Sequence, residues 1–181
     1  MKIFTLILII IFNFVFSNCI LRFNKLTFNY NPEIVITNVT LDNSNKSMSL
    51  IGFHEIRLKE ATKMIMILSV FVPESESDKI YNQTRIRTSI NLCQDYDKNS
   101  FKQKILFNFN STATTSEDGC PAKIGNFTRE NIIIPDIHLP YIPLDMKFRV
   151  NITQKDMIKG SKKFVFSHSF ELYGILKNLK N

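Results

Sequence analysis

Met146-Lys147-Phe148-Arg149-Val150-Asn151-Ile152-Thr153 alternates apolar and polar residues without a break. Successive side chains of a strand point to opposite faces, so Met146, Phe148, Val150 and Ile152 share one side. A turn at Lys159-Gly160-Ser161 follows, and then Phe164, Phe166, Phe170 and Leu172 return on one face. Two such runs joined by a short glycine-containing turn predict an antiparallel hairpin with one buried and one wet side.

Upstream the same period recurs. Leu21 to Tyr30 reads as a strand ending in a turn at Asn29-Tyr30-Asn31-Pro32. Ile34 to Leu41 follows, with Val35, Val39 and Leu41 opposite Asn38 and Thr40. Met48 to Leu58 is a third strand, bent near Gly52. Lys63 to Val72 is the most apolar internal run, and Pro73 with the acidic turn after it favours a strand over a buried helix. Tyr81 to Leu92 is its partner, with Arg85 and Arg87 opposite Ile86 and Ile90. Phe127 to Ile134 is another strand, and Pro135, Pro140 and Pro143 break what comes next. Seven to nine antiparallel strands predict an all-β fold, an immunoglobulin-like β-sandwich.

Between the strands, Cys93 and Cys120 bracket a polar excursion, and Pro121 follows at once. We read the two as one disulfide, although three cysteines allow three pairings and spacing does not choose among them. Phe101, Ile105 and Phe109 recur every four residues inside the excursion, which predicts a short amphipathic helix there, with a strand through Phe107 as its competitor.

The N-terminus carries Lys2, then a run from Ile3 to Phe16 that is apolar but for Thr5 and Asn13, then Ser17. That run is too short for a membrane span and has the form of a secretory signal peptide over residues 1–17. Residues 18–181 then form one domain, secreted into an oxidising compartment, with Cys19 as the odd thiol. Six Asn-x-Ser/Thr sequons, at Asn38, Asn45, Asn82, Asn110, Asn126 and Asn151, are glycosylation candidates that agree with export. Chance in so asparagine-rich a chain would give about two or three.

The catalytic search is negative. His54, His138 and His168 are the only histidines, and no metal-ligand, phosphate-loop or nucleophile-elbow motif occurs. No cofactor or metal is expected. His168 falls at the inward parity of the last strand and reads as a core histidine with a satisfied hydrogen bond. The net charge of +7 is spread along the sequence, so nucleic-acid binding is not expected. The pairs Arg85, Arg87 and Lys147, Arg149 read as solvated strand faces.

The positive signal is apolar: 16 phenylalanines and no tryptophan. Packed as an ordinary core they need no function. With the two sheets splayed, Met66, Leu68, Val70, Phe148, Val150, Phe164, Phe166 and Phe170 line an apolar cavity, and Phe101 and Phe109 lie at its entrance.

The order of Asn91-Leu92-Cys93, Gly119-Cys120-Pro121, Gly125-Asn126-Phe127 and Leu139-Pro140-Tyr141-Ile142-Pro143 resembles a group of secreted arthropod proteins. The group includes the chemosensory CheB-like proteins, within the ML lipid-recognition superfamily. The resemblance spans Lys63 to Gly174. It implies an immunoglobulin-like sandwich that opens between its sheets to hold a lipid, and it carries over a Cys93–Cys120 bridge. Two departures stand out. Phe28-Asn29-Tyr30 and Ile36-Thr37-Asn38 occupy regions where relatives have a further cysteine pair, and Leu144-Asp145 stands where they have glycine.

Three functions follow for testing. The first is a non-enzymatic binder of a lipid or another apolar small molecule, a carrier in chemosensation or lipid recognition. The second is a glycosylated interaction module with a solid core that binds a receptor or another secreted protein; the partners expected of the chain are thus an apolar small molecule and a receptor or membrane surface. The third is a small hydrolase built around His138 or His168.

Overall fold

The computed structural model describes residues 19–44, 49–73, 80–97, 100, 102, 120–132 and 147–178. The expected signal peptide, His138 and all of the expected helix except Ser100 and Lys102 lie outside these residues.

The described residues form eight strands: β1 (Cys19–Tyr30), β2 (Val35–Asp42), β3 (Leu50–Arg57), β4 (Ala61–Val72), β5 (Gln83–Asn91), β6 (Gly125–Ile132), β7 (Lys147–Ile158) and β8 (Val165–Asn178). They build a five-stranded sheet in the order β1-β8-β7-β4-β5 and a three-stranded sheet in the order β2-β3-β6. Every pairing is antiparallel. The all-β, sandwich-like architecture expected from the alternation is what the chain adopts.

The opening hairpin is the β7–β8 pair, with Phe148 opposite Gly174, Val150 opposite Leu172 and Ile152 opposite Phe170. Gly160 in its turn has φ of 87°, a conformation that glycine adopts without a Cβ clash. In β1, Phe23 and Leu26 are three residues apart yet serve the same face. A register shift between Phe23 and Lys25 makes this geometrically consistent.

Phe23 sits on an edge strand, where backbone groups need partners. Ser49 Oγ accepts from its N–H at 3.0 Å, and Asn43 Nδ2 donates to its carbonyl at 2.9 Å. Both come from the β2–β3 connection, so side chains of one sheet satisfy the edge of the other.

Three of the four chain crossings between the sheets lie at one end. There Asn31 and Pro32 turn β1 into β2, residues 58–60 lead β3 into β4, and a Cys93–Cys120 disulfide joins the chain beyond β5 to the chain before β6. Ala61 and Ala122 exchange backbone hydrogen bonds of 2.9 and 2.8 Å at the same end. At the opposite end β2 joins β3 and β4 joins β5 within a sheet, and β6 of the small sheet passes to β7 of the large one through residues 133–146, outside the described residues.

Gly174 marks the closest packing. A Cβ there would lie 2.6 Å from the Arg22 carbonyl and 2.6 Å from Phe148 Cζ. Gly174→Ala is therefore expected to cost about 1–3 kcal/mol in urea denaturation, because backbone and a buried ring must both give way.

Candidate functional site

The space between the sheets has two parts. The larger part is apolar. Met66, Leu68 and Val70 of β4, Phe148, Val150 and Ile152 of β7, and Phe170 and Leu172 of β8 form one cluster with Phe23, Val39 and Ile51. Adjacent strands carry these residues, so the inner face of the large sheet is continuous. Full burial of each such side chain is worth about 1.5–3 kcal/mol.

Six of the expected lining residues thus meet: Met66, Leu68, Val70, Phe148, Val150 and Phe170, each 5% exposed or less. Phe166 is half-buried on β8. Phe164 precedes β8 and is 37% exposed, because strand parity does not extend into the turn that holds it. Phe101 and Phe109 lie outside the described residues. The Cys93–Cys120 pairing, one of three that the sequence allows, is present.

The second part is ionic and lies at the tied end. Arg57 of β3 donates from Nη1 to Asp156 Oδ2 of β7 at 2.8 Å, and its Nη2 is 2.8 Å from Glu55 Oε1. Gln154 Nε2 donates to Asp156 Oδ1 at 2.9 Å. His168 Nδ1 of β8 lies 3.4 Å from Glu55 Oε2. Arg57, Glu55, Asp156 and His168 are all buried. Burial works to lower the Arg57 pKa, but the charges of Glu55 and Asp156 and the hydrogen bonds to them prevail and raise it above the ordinary value.

This cluster joins the two sheets, and the sequence reading missed it. A signal was there: counting by twos from Ile51 and Phe53 reaches Glu55 and Arg57, and from Val150 and Ile152 it reaches Gln154 and Asp156. His168 does sit in the interior, as expected.

Ser167 Oγ also approaches His168 Nδ1, at 3.3 Å. A serine relay needs the hydroxyl on one ring nitrogen and the carboxylate on the other. Here both approach the same nitrogen, and Ser167, His168 and Glu55 are buried. The arrangement is that of a structural ion cluster. Among the described residues no group of histidine, cysteine or carboxylate side chains is arranged to hold a metal ion.

The outer faces differ. On the small sheet, Asn38, His54 and Thr128 stand in one row across β2, β3 and β6. The sequon asparagines Asn38 and Asn126 are exposed on that face, and Asn82 is exposed just before β5. Asn45 and Asn110 lie outside the described residues. On the large sheet Asn151 is half-buried; it donates to Glu171 Oε1 at 3.1 Å and accepts from the Thr153 hydroxyl at 2.9 Å.

The class these features define is an all-β protein of two antiparallel sheets with a disulfide between them. No model of a known protein family and no curated protein matches the chain.

Proposed function

We propose that this chain is a secreted, glycosylated, non-enzymatic binder and carrier of a lipid or another apolar small molecule, held between its two sheets. The observation that supports it most is the division of the interior. Charges fill the end where the sheets are tied, and aliphatic, methionine and phenylalanine side chains fill the rest. The resemblance to ML lipid-recognition proteins, including the order of cysteine and proline motifs, points the same way.

A second reading has its own support. The six lining residues pack against one another as a core would, which suits a solid-core module that binds a receptor or another secreted protein. Lipid extraction separates the two. Protein secreted from an animal cell line is expected to release lipid into organic solvent, to show the matching mass excess in a native mass spectrum, and to bind a displaceable fluorescent fatty acid. Neither lipid nor displacement would leave the module as the surviving reading.

A further inference from the structure

The outer face of the small sheet sets apolar side chains beside acceptors for sugar. Alternation turns Ile36, Asn38 and Thr40 of β2 outward, with His54 and Ile56 of β3 and Asn126 and Thr128 of β6. Ile56 stands between Ile36 and Asn126 in one row across the three strands. Leu58 and Ile124 continue the face toward the tied end, since Arg57 and Gly125 pair just inside them. Ile36 is 44% exposed, Leu58 40% and Ile124 67%, and Ile56 is half-buried. Outward residues two apart on a strand are about 7 Å from each other, and direct cross-strand neighbours about 5 Å. Asn38 is therefore one step from Ile36, and Asn126 is one step from both Ile56 and Ile124.

Scattered surface aliphatics need no explanation, but four in one contiguous patch do. We propose that Asn38 and Asn126 both carry N-linked oligosaccharides, and that these sugars lie over the isoleucine and leucine side chains between them. The register selects these two sequons. In each, the asparagine and its threonine, Thr40 or Thr128, share the outward face, and both asparagines are exposed. They flank the patch from the two strands on either side of β3. Of the other described sequons, Asn82 and Asn151 belong to the large sheet. A hexosamine ring offers C–H groups to apolar side chains and hydroxyls to water, so a bulky, solubilising sugar meets both sides of its position. Two branched chains at the flanks also obstruct a docking protein, which favours sugar over a partner as the cover. In the transfer, the amide nitrogen bonds to the anomeric carbon of a lipid-linked diphosphate sugar. The bond from that carbon to the diphosphate oxygen breaks, the lipid diphosphate departs, and the amide loses one proton. The inference rests on the exported, glycosylated part of the reading above and not on a lipid between the sheets.

The test is glycopeptide mass spectrometry of the intact protein secreted from an animal cell line, then hydrophobic-interaction chromatography, which reads the outer surface. Asn38 and Asn126 are expected to be occupied. Protein stripped of sugar after folding is expected to be retained longer than its parent. Ile36→Thr with Ile124→Thr is expected to shorten retention at least about twofold more in stripped than in glycosylated protein, a coupling that arises where sugar and side chain share a surface. Asn38→Gln with Asn126→Gln is expected to behave as stripped protein does, and enzymatic stripping of the folded parent serves where that variant is not secreted. Equal shifts with and without sugar overturn the proposal. So does the absence of any shift, which would make the chain between Cys93 and Cys120 the cover. Sugar confined to the other sequons overturns the proposal and leaves the exported reading standing, whereas sugar on no sequon overturns both.

Discussion

Arg57→Ala is expected to lower the stability of the domain by about 3–5 kcal/mol in urea denaturation, one of the two largest losses expected for any change to a side-chain contact here. Arg57 is the cation between two buried carboxylates, Glu55 and Asp156. Removing it leaves both without their guanidinium in a place water does not reach. Much of the cost is that residual burial. The net worth of the intact cluster is smaller, since each charge gave up its hydration to enter. A comparison makes the mechanism visible. Lys159 and Glu60 form an equally short pair of 2.8 Å, but the lysine side chain is 68% exposed. Lys159→Ala is expected to change stability by less than about 1 kcal/mol. Similar losses for the two variants would mean that burial is not what sets the cost.

The second large effect belongs to the disulfide. Cys93→Ser with Cys120→Ser is expected to cost about 3–4 kcal/mol, from the loop closure entropy of a bridge spanning a sequence separation of 27. The two cysteines tie edge strands of different sheets, β5 and β6, so their loss also releases contact between layers. Urea denaturation of the double variant beside the oxidised parent measures it. A loss below about 1 kcal/mol would show that the Ala61–Ala122 pairing and the core hold the layers together without the bridge.

The strands were legible because alternation is a local signal. Phe148 to Thr153 and His168 to Leu172 commit their faces within a few residues, and the pairing agrees, whereas a register shift between Gln154 and Lys155 sets Phe166 opposite the exposed Lys155 and off the expected inner face. The starts of β5 and β6 shifted by two residues, as strand ends have no sharp chemical marker. The ion cluster was hidden for a different reason. Arg57 and Asp156 are 99 residues apart, and strand β3 offers either Phe53, Glu55 and Arg57 or His54, Ile56 and Leu58 to the interior. Choosing the charged face looks wrong until its partners from β7 and β8 are known. The approach of Arg22 and Lys25 to the hairpin residues Lys147 and Arg149 was hidden by topology, since the first strand lies beside the last and the last beside β7.

Were a guest to part the layers, the buried charges of Arg57, Glu55 and Asp156 would bound it at one end. On β4 the greasy stretch from Met66 to Val72 measures about 20 Å at roughly 3.3 Å per residue, so reach rather than girth would limit an acyl chain lying along it.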